Sequence, residues 1–311
     1  MDRSSTAPSR LRAFVRLGRP LFLGGGILMF GLGTALSGSF HLRLYLLGQL
    51  AVTALQLMTH YANDYFDYAV DCANTTPTRW SGGSRVLPDG ELPREVALAA
   101  ALACAAVGAI TAAVLAVMAG AWTLVALAAI ALLAWEYSAP PLRLCARGLG
   151  ELATALVVTV LVPWLGFALQ ASPGGASAAA LVGAVVPPAL LQIAMLLAIE
   201  IPDRAGDAAC GKRTLVVRLG AARAARLYAA VTVLAYLWLP LAAALALLPA
   251  RVALAAALPA PLAAWRIACI TRDHRDRTAY ERLAFFAVLL LVATAACELV
   301  ALLVPGLWHA A

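Results

Sequence analysis

Nine apolar stretches, each close to the roughly 20 residues an α-helix needs to cross a bilayer, alternate along this chain with short polar connections. They fall at 20–38, 43–62, 95–117, 120–138, 150–170, 178–199, 226–248, 251–269 and 282–304. Ala, Gly, Leu and Val dominate them, which suits close packing of helices in lipid. The pattern predicts an all-α fold, a polytopic membrane helix bundle of about nine transmembrane helices. It forms a single domain over 20–311, preceded by a basic segment at 1–19. No small-residue cleavage site follows a short apolar core near the start, so Leu21 onward reads as a retained helix rather than a signal peptide.

Composition agrees with the pattern: 63% of the 311 residues are hydrophobic and only 13% charged, against about 45–50% and 25% in soluble domains. The charges then orient the bundle. With the N-terminus in the cytosol, the loops 63–94, 139–149, 200–225 and 270–281 share its side. Of the 23 Lys and Arg residues, all but Arg43 and Arg251 then face the cytosol, the bias expected of inside loops. The C-terminus falls outside, and a central cavity is expected to open to the cytosolic side. The connections outside are tight and almost uncharged, at Ala119 to Ala121 and Ser172 to Ser177. A net charge of +7 could suggest a polyanionic partner, but the cations sit in short loops between apolar runs, so no nucleic acid is expected. The six cysteines lack metal-ligand spacing, which argues against a zinc site or a disulfide framework. An Ala- and Arg-rich, nearly Lys-free composition points to a GC-rich bacterial genome and so to a plasma (inner) membrane.

Two acid-rich segments stand out on the cytosolic side. Asn63-Asp64-Tyr65-Phe66-Asp67-Tyr68-Ala69-Val70-Asp71 closes the second span, and on a continued helix Asp64, Asp67 and Asp71 form one stripe at i, i+3 and i+7. Three carboxylates beside hydrocarbon are costly unless a cation compensates them, and hard oxygen donors favour Mg2+ or Ca2+. Glu200-Ile201-Pro202-Asp203-Arg204-Ala205-Gly206-Asp207 closes the sixth span with the same spacing at Glu200, Asp203 and Asp207. Four helices separate the motifs, so both end on one side and can face each other as parallel repeats. Two acidic stripes meeting over a cavity make a two-sided metal clamp for a diphosphate. Gly211, Lys212, Arg213 and Thr214 follow with a turn, cations and a hydroxyl suited to phosphate oxygens.

These residues resemble the UbiA superfamily of membrane prenyltransferases. NDYFDYAVD is similar to that family's NDxxDxxxD motif, DRAGD to its DxxxD motif, and GKRTLVVRLG (Gly211 to Gly220) to the sequence after it. Gly82-Gly83-Ser84-Arg85-Val86-Leu87 resembles the loop after the first motif in quinone-type members. Tyr137-Ser138-Ala139-Pro140-Pro141-Leu142-Arg143, with Arg147-Gly148-Leu149-Gly150-Glu151, is most similar to the menaquinone branch, which prenylates dihydroxynaphthoate. One departure is Glu200, where that branch usually has Asn; it adds a negative charge and bears on the acceptor.

The resemblance implies transfer of an isoprenoid from a prenyl diphosphate to a small aromatic or quinone-precursor acceptor. Mg2+ would be held by Asp64, Asp67 and Asp71 on one side and by Asp203 and Asp207 on the other. Lys212, Arg143, Arg85 and Arg147 are the candidates for phosphate contact. Asn63 is a candidate for orienting a carboxylate or touching phosphate, and Tyr137 for donating to the diphosphate. The tail would lie in a groove open to the lipid bilayer. His60, one turn deeper than Asp64, reads either as a base or acceptor ligand or, the blander reading, as a polar residue satisfied by a neighbouring helix. Glu136 lies near the expected site, and Glu298 near the outer end, where it can snorkel. Trp80, Trp122, Trp135, Trp164 and Trp308 fall at expected interfaces. Two other readings stand beside transfer: a membrane terpene cyclase that ionises the diphosphate without an acceptor, and a transporter. The second expects acids near the midplane rather than at helix ends.

Overall fold

The computed structural model describes residues 7–75, 77–171, 178–270 and 277–304. The expectations placed on residues 1–6 of the basic segment, on the connections 172–177 and 271–276, and on Trp308 lie outside them. Every described regular element is helical: α1 (Ala7–Leu17), α2 (Pro20–Leu36), α3 (Leu42–Phe66), α4 (Tyr68–Ala73), α5 (Arg94–Ala119), α6 (Trp122–Glu136), α7 (Gly150–Gln170), α8 (Ala178–Ala209), α9 (Leu215–Leu219), α10 (Ala221–Ala244), α11 (Ala250–Ala256), α12 (Ala260–Ile270) and α13 (Arg277–Leu303). Each of the nine expected stretches is helical. Among the described residues seven helices are long and apolar enough to span a bilayer, with α11 and α12 together making one span, and α1–α2 adds an eighth as a pair bent by 41°. α6 is the short one at 15 residues.

Backbone proximity holds the bundle together where lipid offers no hydrophobic drive. α2 crosses α7 so closely that a Cβ on Gly33 would run into the Pro163 carbonyl, and one on Gly166 into that of Phe30. Pro163 has no N–H to give, and its ring crowds the carbonyl one turn back. The helix relaxes into a π-turn over Val157–Leu161 just before it, the usual accommodation inside a longer helix. Buried side chains form two clusters. One joins α1, α2, α3, α5, α6 and α7 and takes in α11 and stretches of α8, α10 and α13; the other joins the remaining stretches of α8, α10 and α13 with α9 and α12. The acidic motifs lie where α3–α4 meets α8.

The basic N-terminal segment is more than a topology signal. α1 buries Ala13 and Leu17, and Arg16 pairs with Glu91 at 2.8 Å. Glu298 does not snorkel: it is fully buried, and neither carboxylate oxygen has a hydrogen-bond partner. Trp80 is not merely a belt residue either. Its ring packs between Phe22 of α2 and Phe285 of α13, with centroids 6.1 and 6.2 Å away.

Candidate functional site

The first motif does not continue as one straight helical stripe. α3 ends at Phe66, Asp67 takes φ −90°, ψ 4°, and α4 starts at Tyr68. Hydrogen bonds still run from the Asp67 amide to the Asn63 carbonyl and from Asp71 to Asp67, at 2.9 Å each. The bend keeps all three acids inward, with Asp64, Asp67 and Asp71 2, 3 and 7% exposed. In the second motif Glu200, Asp203 and Asp207 share α8, as the spacing predicts, although Pro202 lies among them.

α8 ends at Ala209, and Gly211 turns the chain back at φ +74°. The Lys212 amide then bonds the Asp207 carbonyl at 2.8 Å, a glycine-dependent helix stop that folds the lysine over the motif just left. Its Nζ lies 2.9 Å from Asp67 Oδ2 and 3.9 Å from Asp207 Oδ1. Burial works against the ammonium, but Asp67, Cys145 and Asp207 outweigh it and hold its pKa well above the usual lysine value. The other junction runs through the loop after α4: Asn74 Nδ2 and Ser81 Oγ donate to Asp203 Oδ1 at 2.9 and 3.0 Å. The two motifs therefore form one site.

That loop is shaped by the glycines at 82 and 83. Gly83, at φ +75°, lies so close to the Asp71 carboxylate that no Cβ fits. The turn delivers Ser84 to Asp64, which accepts from its amide at 3.2 Å and from its hydroxyl. Asp64 also pairs with Arg19. Asn63 connects these groups: it accepts from Arg19 at 3.1 Å and donates to Asp67 at 3.0 Å and to Ser138 at 2.9 Å. Burial, reinforced by Asp64 and Asp67 and only partly offset by Arg19 and Lys212, pushes the Asp71 carboxyl up to about 7.

The segment between α6 and α7 closes a third side. Glu136 acts here as a structural cap, accepting from the Leu142 amide at 2.9 Å. The Arg213 amide donates to the Ala146 carbonyl at 2.9 Å, fastening the turn after α8 to this segment. The Tyr137 phenol lies in electrostatic reach of Glu200, Lys212 and Asp67, and burial keeps it protonated well above the usual tyrosine pKa.

Some expected residues lie aside. His60 follows the blander reading, with Nδ1 2.8 Å from the Gly18 carbonyl. Arg147 donates to the Pro141 carbonyl at 2.9 Å and is exposed. Arg85 donates to the Asp71 carbonyl at 2.5 Å and pairs with Asp89 at 3.3 Å. Arg143 is partly exposed at φ +46° on the same segment as Tyr137. Conversely, Arg19, Asn74, Ser81, Ser84 and Glu151 enter the site without having been singled out. The available signal was charge: three acids on one helix end require cations close by, and Arg19 directly precedes the first span.

The donors suit a hard divalent ion. Asp67 Oδ1 is buried and accepts no hydrogen bond, beside four further carboxylates. Among the described residues no three His, Cys, Asp or Glu side chains close in enough to cage an ion alone. Mg2+ needs no such cage, because one or two carboxylates are usually completed by waters and substrate phosphates.

Comparison with known proteins points to one family. Residues 26–291 match the model of the UbiA prenyltransferase family. Over 219 residues, 68% of this chain and 70% of the relative, the sequence is 34% identical to 1,4-dihydroxy-2-naphthoate octaprenyltransferase of Mycobacterium tuberculosis. Among solved structures, a UbiA homolog from Aeropyrum pernix K1 superposes with a TM-score of 0.68 at 18% identity, covering 89% of this chain and 96% of that one. A UbiA homolog from Archaeoglobus fulgidus bound to GPP and Mg2+ gives 0.57 at 15% identity, covering 92% and 99%. At such identities the structural likeness speaks for the fold.

Proposed function

The chain belongs to the UbiA prenyltransferase family, and we propose that its paired acidic motifs hold the head of an allylic diphosphate while the isoprenoid passes to a small aromatic acceptor of the quinone-precursor class. It is an integral membrane prenyltransferase. The observation that carries the finer reading is Lys212, which lies between Asp67 of one motif and Asp207 of the other. A dianionic head group entering between the motifs meets that ammonium, the Arg19 guanidinium and the Tyr137 hydroxyl together.

Asp64, Asp67, Asp71, Asp203 and Asp207 would hold Mg2+, a Lewis acid that draws charge from the departing diphosphate. The chain's own groups do the rest. Lys212 and Tyr137 stabilise the charge that grows as the carbon–oxygen bond breaks. Asn63, fixed by Arg19 and Ser138, holds Asp67 in place. Burial of the acids keeps bulk water from the allylic cation. The acceptor class is supported by the naphthoate named in the mycobacterial relative, and by the Tyr137–Glu151 segment. The tail would run from the acids between α2 and α13 toward an open cleft of about 580 Å³ at the far end of α2, lined by Gly31, Thr34, Gly38, Phe40, Tyr45 and Leu302. A bacterial plasma membrane with the acids facing the cytosol accords with the charge bias of the loops.

The test is turnover by purified protein in nanodiscs, given prenyl diphosphates of several lengths, Mg2+ and aromatic acceptors including dihydroxynaphthoate. A prenylated aromatic that vanishes with EDTA is expected. A hydrocarbon or terpene alcohol formed without acceptor would replace this reading with cyclisation, and no diphosphate release at any chain length would remove it.

A further inference from the structure

Lys212 reaches inward to the acids, while the next residue, Arg213, is exposed and belongs to a second cluster of charge. The Arg213 amide is held by the Ala146 carbonyl at 2.9 Å, which lays the turn after α8 against the segment before α7. Arg218 on α9 returns to the same place, where its Nε donates to the Arg213 carbonyl at 3.1 Å. Its stem passes tightly over Gly148. A Cβ on that glycine would stand 3.0 Å from Arg218 Nε and 3.2 Å from the Arg213 carbonyl oxygen. Arg147, the residue before it, donates from Nη2 to the Pro141 carbonyl at 2.9 Å. Three exposed arginines from two distant segments thus gather around one glycine.

Their charge is uncompensated. Among the described residues none of the three pairs with a carboxylate. A guanidinium carries five N–H donors, and the carbonyls claim one on Arg147 and one on Arg218. Those bonds orient two of the groups and leave the rest of each fork open. Phosphate oxygens are the acceptors that such a fork matches.

The neighbouring surface narrows the kind of phosphate. Leu149, Leu152 and Leu156 are 45, 57 and 43% exposed. They stand at i, i+3 and i+7, so they share one face of α7 as it leaves the cluster. A phosphate on the arginines with a hydrocarbon chain down the leucines has the shape of a lipid, not of a soluble anion. Basic groups at the end of a span are also where anionic headgroups collect.

We propose that Arg147, Arg213 and Arg218 bind the phosphate of an anionic phospholipid whose acyl chain lies along Leu149, Leu152 and Leu156. The bound lipid bridges the segment before α7 and the turn after α8, and so steadies the turn that carries Lys212. This face lies outside the acid-lined site, and the proposal does not depend on the transferase reading.

The test titrates the purified full chain in detergent with phosphatidylglycerol and, separately, with phosphatidylcholine, whose choline cancels the phosphate charge. Retained lipid is read by native mass spectrometry, and the lipid-induced shift in melting temperature is read beside it. Wild type is expected to hold phosphatidylglycerol more tightly than phosphatidylcholine. Arg218→Gln is expected to weaken phosphatidylglycerol binding about 10-fold, the low end for loss of a charge-assisted hydrogen bond. Arg218→Lys, which keeps the charge without the fork, is expected to weaken it less. Arg282→Gln removes one exposed charge from α13 and is expected to bind as wild type does. Each shift is taken against the same variant without lipid, so a lower starting stability does not mimic the effect. Glycerol 3-phosphate, which has no acyl chain, is expected to leave the melting temperature unchanged; a shift equal to the lipid's would give the arginines to a soluble phosphate and overturn the proposal. Equal retention of the two lipids, or equal losses in Arg218→Gln and Arg282→Gln, would overturn it as well.

Discussion

Lys212 Nζ lies 2.9 Å from Asp67 Oδ2, although 145 residues separate the two, and the same ammonium is 3.9 Å from Asp207. One cation thus joins a motif on α3–α4 to a motif on α8. The relationship depends on Gly211, whose left-handed turn brings the lysine back over the helix it follows.

Replacing Lys212 with Met keeps the stem and removes the charge. Turnover is expected to fall about 100-fold or more, as when a pre-aimed electrostatic contact is lost. Thermal stability of the metal-free protein is expected to fall too, because buried acids lose their partner, and added Mg2+ should then raise the melting temperature more than it does in wild type. Near-normal turnover with an unchanged Mg2+ response would reduce Lys212 to a turn residue.

Gly83 and Gly90 both have φ near +70° (75° and 71°), but only Gly83 has a neighbour, the Asp71 carboxylate, where a Cβ would go. Gly90→Ala should therefore cost only left-handed strain, about 1–2 kcal/mol, and keep its activity. Gly83→Ala should add displacement of Asp71 or of the loop and lose most turnover. Melting curves and steady-state assays on the pair check this; equal behaviour would mean that the 82–85 loop does not shape the site.

Asp71, held at about 7 by burial, gives a pH dependence with a definite sign. Between the ordinary carboxylate pKa, near 4, and about 7, the folded metal-free protein binds a proton that the unfolded chain does not. Its stability therefore decreases as pH rises through that window and levels off above it. A divalent ion favours the ionised acid, so Mg2+ should raise the melting temperature more at pH 8 than at pH 6, and Asp71→Asn should shrink the difference. Equal Mg2+ shifts at both pH values in wild type would contradict this account.

Much of this was legible in the residues. The nine apolar stretches are helices, and the i, i+3, i+7 spacing on α8 survives intact. What escaped sequence reasoning was set by packing. The break at Asp67 depends on where α4 docks, and no periodicity encodes it. Arg19 read as a topology charge because its contact with Asp64 spans 45 residues and requires the bend between α1 and α2. Charge and loop position could not reveal that Arg147 is exposed and donates to the Pro141 carbonyl. Glu298 read as an interfacial acid, whereas the bundle encloses it entirely.

Chain length offers an independent check on the tail. A Cβ on Gly31 would meet Leu299 at 3.8 Å, and both residues line the cleft between α2 and α13. Gly31→Phe should leave geranyl diphosphate a good substrate and cut the rate with long prenyl diphosphates. Unchanged selectivity in a competition between short and long chains would place the tail elsewhere.

The most direct measurement of the central claim, one diphosphate site built from two motifs, is a double-mutant cycle on Mg2+-dependent geranyl diphosphate binding. Asp67→Asn and Asp203→Asn are expected to weaken binding strongly when made singly. The double variant should lose little beyond the worse single, since residues acting on one ligand are not additive. Losses that simply add, or a single variant that binds as wild type does, would contradict a shared site.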